Sequence, residues 1–319
     1  MSAPLRIGTR ASALARWQTE HVRARLHAAG YATERVEIRT TGDMVQHVPL
    51  AEIGGRALFT RQIDDAMLEG RIDLAVHSLK DLPTMLPAGL VLAAVGERED
   101  ARDALVGRGP LHWSDLPAGA VLATSSLRRR AQVRHLRPDL QVTDIRGNVD
   151  TRLAKLDAHG EWTGILLAAA GLVRLGFGDR IGQRLPPELM LPAPGQGALA
   201  VTARLGDVAA VAAARAMHHD PTARAVAAER AFLRTLEGGC QVPVAAHAEL
   251  GEGGELRLHG RVLSLLGERG VEGVESGPAR TEAEADSLGV ALAERLLEDG
   301  ADSILAEVRA AGAPVVPEP

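Results

Sequence analysis

A chain of 319 residues with 46% hydrophobic and 24% charged positions has the make-up of a globular protein, and its length asks for two or three domains rather than one. A net charge of −5 with 2% aromatic residues gives no reason to expect nucleic acid or an anionic membrane surface as a partner. The single cysteine, Cys240, excludes an internal disulfide, no apolar run approaches the ~20 residues that span a bilayer, and "MSAPLRIGTR" carries no signal-peptide core, so the expectation is a cytoplasmic protein.

In chain order, "LRIGTR" predicts a strand and "SALARWQTEHVRARLHAAG" an amphipathic helix ended by Gly30. "RVEIRTT" reads as a strand, "FTRQIDDAMLEG" as a helix, and "IDLAVHS" and "LVLAAVG" as strands. Strands alternating with helices argue for βαβ units around a mainly parallel sheet. The pattern then restarts. "AVLATSS", "LQVTDI" and "GILLAAA" are strand-like, with helices in "SLRRRAQVRHL" and "VDTRLAKLDAHG". After a Pro/Gly linker the apolar "LPAPGQGALAVTAR" predicts a strand that rejoins the first unit, which makes the second an insertion.

The expected units are 1–98 with 196–217, 101–194, and 219–319. Two α/β lobes crossed twice by the chain form a hinge architecture with a ligand cleft between them. The third unit predicts an α+β fold. It has a long helix in "PTARAVAAERAFLRTLEGG", hairpin strands in "VAAHAEL", "LRLHGRVLS" and "VEGVES", and a capped helix in "TEAEADSLGVALAERLLEDG". The tail "APVVPEP" reads as disordered.

The chemistry-bearing residues collect where strands give way to helices. "AVHSLKDLP" places Lys80 and Asp81 at the carboxyl end of a buried strand, where α/β proteins bind ligands. Of the 36 basic residues only Lys80 and Lys155 are lysines; the skew is read as codon composition, and it draws attention to Lys80. "ATSSLRRRAQ" offers Thr124, Ser125 and Ser126 at a helix start, followed by Arg128 and Arg129, whose forked donors match carboxylates or phosphates. "DIRGNVDTRL" repeats the device with Arg146 and Arg152, "GTRASAL" with Arg10 and Ser12, and "AAAGLVRLG" supplies Arg174. A solvated basic helix face explains any one of these. Four such junctions together describe a cleft that holds several carboxylates. GxGxxG and GxxxxGK[ST] are absent, so nucleotides are not expected, and no His/Cys spacing predicts a metal.

Cys240, in "LEGGCQVPV", follows a helix end in a glycine-loosened turn. Taken alone it reads as a buried small hydrophobe, although the glycines leave room beside the sulfur for something bulky. A Cys/His pairing with His218, His219 or His247 has no supporting pattern.

Together, "RIGTRASALARWQ", "HSLKDLP", "TSSLRRR", "IRGNVDTRL", "AGLVRLG", "LPAPGQGALA" and "ERAFLRTLEGGCQVPV" resemble the porphobilinogen deaminase (hydroxymethylbilane synthase) family, in family order and over about residues 5–245. The resemblance implies two doubly wound lobes like those of periplasmic binding proteins, with a cleft between them, plus a small α+β C-terminal domain. It implies a transferase of porphyrin and heme biosynthesis that joins four porphobilinogen units, each losing ammonia, into hydroxymethylbilane. Cys240 would anchor a dipyrromethane cofactor through a thioether. Lys80, Asp81, Thr124, Ser126, Arg128, Arg129 and Arg146 would bind that cofactor, and Arg10, Ser12, Arg146, Arg152 and Arg174 the substrate and growing chain. Asp81 matches the catalytic aspartate, which would stabilise the cationic azafulvene left by ammonia loss. "EIGGRALFTRQ", with Arg56 and Phe59, matches a lid over the cleft; Arg56 stands where many members have Lys. A monomer with no metal, nucleic acid or membrane partner is expected. Two other readings compete. A solute-binding module would share the lobes but gives Cys240 and the third unit no task. A thiol hydrolase leaves the arginine junctions unexplained.

Overall fold

The computed structural model describes residues 3–40, 60–236 and 242–312. The expected lid with Arg56 and Phe59, the expected anchor Cys240 and the Pro-rich tail lie outside those residues.

The first lobe opens with β1 (Leu5–Thr9), α1 (Ala13–Ala28) and β2 (Thr33–Glu37), and continues with α2 (Arg61–Leu68), β3 (Leu74–Ser78) and β4 (Leu90–Val95). The second lobe holds β5 (Asp103–Val106), β6 (Val121–Ala123), α3 (Leu127–Leu136), β7 (Gln141–Thr143), α4 (Val149–Ala158), β8 (Gly164–Ala168), α5 (Ala169–Arg174) and β9 (Gln183–Leu185). β10 (Leu199–Arg204) and α6 (Val208–Ala214) return to the first lobe. The third unit has α7 (Asp220–Thr235), β11 (Val244–Leu250), β12 (Glu255–Leu263), β13 (Gly270–Pro278), α8 (Glu282–Leu296) and α9 (Asp302–Gly312).

Both large sheets have the same plan, β2-β1-β3-β10-β4 and β7-β6-β8-β5-β9. Three neighbours run parallel in each, but β10 is antiparallel to β3 and β4, and β5 to β8 and β9. The sheets are therefore mixed: four strands of each run one way, as expected of a mainly parallel sheet, and one strand is reversed among them. The odd strand in each lobe is the one that arrives from the other lobe. A strand reached by such a crossing, and not through a helical crossover, has no need to run parallel.

Strand and helix boundaries follow local physics. α1 starts where the Ser12 hydroxyl accepts the Ala15 N–H at 3.3 Å, it ends with Gly30 at φ 89°, and it buries Ala15, Gln18, Thr19, Val22 and Leu26 at helical spacing. "GILLAAA" divides between strand β8 and helix α5, because the alanines are better helix formers than the β-branched and leucine run before them. β5 and β9 were not foreseen; they span 4 and 3 residues, too short for alternation to show. In the third unit α7 lies on the antiparallel sheet and against α8. A Cβ on Gly289 would come 2.2 Å from the Ala228 carbonyl, and one on Gly260 would come 2.5 Å from the Phe232 ring, so these glycines permit the close approach.

Two connections join the lobes, residues 96–102 and 186–198. Helix α7 fastens both. Its buried Glu229 takes a forked pair of bonds from Arg98 at 2.7 and 3.2 Å and accepts the backbone N–H of Gly195 at 2.7 Å. The same carboxylate accepts the Ala248 N–H at 2.7 Å, so one side chain ties the two crossings to the third unit. Burial opposes its charge, but Arg98 and His247 outweigh that and hold its carboxyl at about 2.

Candidate active site

The strand-to-helix junctions singled out in the sequence are where the structure puts its cations. β3 runs into a single tight turn, Leu79–Asp81. The backbone of that turn is fixed: Leu79 donates to the Ala198 carbonyl at 3.0 Å and is 1% exposed. Lys80 is thereby aimed at the second crossing, where its Nζ donates to Gln196 Oε1 at 3.1 Å. The Gln196 Nε2 donates onward to the Ala101 carbonyl at 2.7 Å and to Asp103 Oδ1 at 2.9 Å.

Asp103 opens β5 and is fully buried. Arg128 forks onto its two oxygens at 2.6 and 3.2 Å, while Arg129 donates Nε and Nη2 to one oxygen at 3.0 and 2.7 Å. The Leu191 and Leu166 carbonyls take one further bond from each, at 2.7 and 3.0 Å. Burial opposes the Asp103 charge, and the two guanidiniums overcome it, holding the carboxyl far below the usual carboxylate range. One carboxylate thus serves two guanidiniums, each with five N–H donors.

The remaining residues gather around this core. Burial pushes the Lys80 ammonium down to about 8; Asp81 and Asp103 support its charge, and Arg129 and Arg128 oppose it. Arg152 is pushed down to about 10 by burial and then by Arg129 and Arg146, with Asp81 opposing. Asp81 itself is exposed at the edge of the group, with its charge felt by both Lys80 and Arg152. Among the described residues, Lys80, Arg128, Arg129 and Arg152 therefore stand against Asp81 and Asp103, an excess of positive charge in a partly dry site.

The hydroxyls have local duties. Ser126 caps α3 by accepting the Arg129 N–H at 3.4 Å, and Thr124, fully buried, accepts the Ser126 N–H at 3.2 Å. Ser12 caps α1 in the same way. An accepting hydroxyl still has its own O–H to donate, so these groups suit a carboxylate laid on the helix starts. Arg10 acts on the buried His77, which bonds the Thr202 hydroxyl at 3.2 Å and is held neutral to about 4, mainly by burial. Arg152 Nε donates to the Gly147 carbonyl at 2.8 Å, and Arg174 Nη2 to the Gly197 carbonyl at 2.6 Å. The histidines weighed as thiol partners have other tasks: His218 pairs with Asp220 at 3.0 Å, His219 caps α7, and His247 faces Glu229 at 3.6 Å.

Sequence reasoning missed Asp103, Gln196, Arg98 and Glu229. A signal existed for the first, an acid at the start of the apolar run "DALV", but the acid-rich "GEREDARDAL" before it hid which acid points inward. Gln196 lay within a motif quoted only for its glycines and prolines.

Two lobes with a double crossing and, among the described residues, more guanidinium and ammonium than carboxylate where they meet define a two-lobed protein with a site chemically suited to a ligand bearing several carboxylates. Residues 5–212 match the family profile "Porphobilinogen deaminase, dipyromethane cofactor binding domain", and residues 223–298 match "Porphobilinogen deaminase, C-terminal domain". The chain belongs to the porphobilinogen deaminase family. It is 52% identical to the porphobilinogen deaminase of Geobacter metallireducens over 306 residues, 95% of this chain and 94% of that one. It is 47% identical to that of Syntrophotalea carbinolica over 99% of both chains. A solved periplasmic substrate-binding protein of an ABC transporter from Coxiella burnetii aligns with a TM-score of 0.43 and 13% identity, covering 68% of this chain and 93% of that one. Among the described residues no helix is long and apolar enough to cross a membrane.

Proposed function

We infer that this chain is a porphobilinogen deaminase, condensing four porphobilinogen molecules with loss of ammonia into the linear tetrapyrrole hydroxymethylbilane on a dipyrromethane carried by Cys240. The observation that carries the reading is the surplus of cations around Asp103. Pyrroles bearing acetate and propionate bring many carboxylates into one cleft, and a site with more guanidinium and ammonium than carboxylate is built to receive them. The residues present therefore fit the cofactor. When bound, dipyrromethane supplies the pyrrole end to which new units are joined.

In this reading Lys80, Arg128 and Arg129, with Thr124, Ser126 and Arg146, hold the cofactor's acids. Arg10, Ser12, Arg146, Arg152 and Arg174 hold the acids of the substrate and the chain. Asp81 does the chemistry: a carboxylate beside the reacting pyrrole stabilises the positive charge that develops as ammonia leaves and carries protons to and from the reacting atoms. Arg56 and Phe59 belong to a lid. The chain works as a cytoplasmic monomer, since one chain supplies both walls of the cleft.

The test is Ehrlich's reagent on denatured, washed protein together with its intact mass. A dipyrrole colour that survives denaturation, with the extra mass on the peptide holding Cys240, supports the reading. A colourless protein of unmodified mass that still binds carboxylates belongs to a solute-binding module, and a thiol hydrolase gives no colour either.

The arginines are expected to divide by role. Arg128→Leu or Arg129→Leu should impair cofactor loading, and Arg152→Leu or Arg174→Leu should leave the cofactor in place but stall elongation. Mass spectra of each variant incubated with porphobilinogen display the ladder of covalent pyrrole additions. Identical loading and identical ladders in all of them would defeat the division.

Lys80 makes a prediction in pH. Its folded pKa, about 8, lies below the unfolded value, ~10.4, so between them the unfolded chain holds a proton that the folded chain has released. Stability contributed by Lys80 in cofactor-free protein must then rise with pH across that window. In a Cys240→Ala background, adding Lys80→Met should stabilise most below about pH 8 and progressively less toward about pH 10. Urea unfolding midpoints across that range provide the measurement, and a constant difference would contradict the buried-ammonium assignment.

A further inference from the structure

Trp17 has no place in the roles assigned so far. The second lobe buries Trp113 and Trp162 to 8% exposure, but Trp17 is 37% exposed, on the face of α1 that looks toward the other lobe. The Arg174 Cζ lies 5.7 Å from the centroid of its ring, within the ~6 Å over which an aromatic face attracts a cation. His21 stacks on the same indole with centroids 5.2 Å apart and planes at 10°.

The contact spans the boundary between lobes. Trp17 rides on α1 of the first lobe, and Arg174 ends α5 of the second. The helices come close there: a Cβ on Gly171 would lie 3.8 Å from Leu14 Cδ2. The other hold on Arg174 is the Gly197 carbonyl, on the second crossing. Gly197 adopts φ +90°, and a Cβ there would come 2.3 Å from the Glu99 carbonyl on the first crossing, so that anchor point is itself rigidly placed. Arg174 is thus held by one lobe and one crossing while belonging to the other lobe.

The type of hold matters. Burial opposes the Arg174 charge and Glu99 supports it without a hydrogen bond; among the described residues no carboxylate bonds the guanidinium directly, and its direct partners are a neutral carbonyl and a neutral ring. A carboxylate would fix the guanidinium more firmly but would neutralise it and occupy its donors. An indole face orients the cation and leaves both its charge and its N–H edge available to an acid. Asp103 shows the opposite arrangement at Arg128 and Arg129, where a protein carboxylate sits on the guanidiniums. The difference fits residues that keep one ligand and a residue that must take and release several.

We propose that Trp17 is a positioning residue for Arg174, holding its guanidinium across the lobe boundary, without neutralising it, for a carboxylate of the growing pyrrole chain. The proposal rests on the reading of Arg174 as a residue of the substrate path. Trp17→Leu holoenzyme is expected to slow elongation about two- to tenfold in the mass ladder of pyrrole additions, the range that cation–π contacts allow and a milder form of the stall expected of Arg174→Leu. Its dipyrrole content should equal wild type. Trp17→Phe keeps a ring face and should recover most of the loss. Adding Trp17→Leu to Arg174→Leu should cost nothing further, since the partner is already gone.

The outcomes separate the two claims. If Arg174→Leu stalls elongation and Trp17→Leu does not slow it, the positioning role is wrong while the substrate role of Arg174 stands. If Phe and Leu at position 17 are equally impaired, or the double variant is worse than Arg174→Leu alone, Trp17 acts through packing and the proposal falls. If Arg174→Leu elongates as wild type does, the reading of Arg174 fails and takes this proposal with it.

Discussion

Asp81→Asn is expected to lower turnover by ~10²–10³-fold, the loss typical of removing one preorganised charge-stabilising group, with little change in substrate binding. The structure supplies the reason for both halves of that statement. The backbone of the turn is pinned by Leu79, which is buried and bonded to Ala198, so the substitution leaves the shape of the loop intact. Asp81 itself is exposed and carries no packing, so the protein should fold normally. What disappears is a negative charge that acts on Lys80 and Arg152 and, in the proposed reaction, on the cation formed as ammonia leaves. Asp81→Glu keeps the charge and moves it by one methylene, so partial activity should remain.

The same electrostatics add a second readout. Asp81 supports the charged form of Lys80, whose ammonium stands at about 8. Removing that support moves the Lys80 titration further down. The alkaline limb of any pH profile that depends on the Lys80 charge should therefore shift to lower pH in Asp81→Asn. Single-turnover release of ammonia from holoenzyme across pH measures both effects. Wild-type rates accompanied only by weaker binding would make Asp81 a positioning residue and sink the catalytic assignment.

Much of this was legible beforehand because the relevant signals are local. Strand, short turn and a helix with arginine at or near its start or end recur at "GTRASAL", "TSSLRRR", "IRGNVDTRL" and "AGLVRLG", the first two with hydroxyls in the turn, and each junction falls at the carboxyl end of a strand with at least one parallel neighbour. Lys80 and Asp81 were readable for the same reason. The illegible residues are those whose meaning depends on distant partners. Glu229 and Arg98 are 131 positions apart, and Gln196 meets Asp103 across 93. Nothing in "AAERAF" says that its glutamate closes on two crossings. The antiparallel course of β5 and β10 was hidden likewise, because strand direction is set by which lobe the chain comes from. Trp17 read only as part of an amphipathic helix; its partner lies in another lobe.

Asp103→Asn should be the most damaging change to stability, lowering it by about 3–5 kcal/mol, the cost of removing one partner from a buried ion pair. Asn retains nearly the same volume and can still accept from one guanidinium, so no cavity forms. The loss is one of charge: Arg128 and Arg129, 6% and 5% exposed, would face each other and Lys80 with no buried counter-charge. Because the two guanidiniums hold the Asp103 carboxyl well below its unfolded value, its contribution is present in full above ~3.9 and is lost as pH falls below that. The gap between wild type and variant should accordingly be widest near neutral pH and close on acidification. Carboxylates of a bound cofactor partly replace the missing charge, so apoprotein should suffer more than holoprotein, and cofactor assembly, which begins from the apoprotein, should become inefficient. Urea unfolding midpoints for apo and holo forms at neutral and acid pH, with dipyrrole content by Ehrlich colour, provide the test. A variant that unfolds at the wild-type midpoint and loads fully with cofactor would show that Arg128 and Arg129 need no protein counter-ion, and that Asp103 does not organise the site.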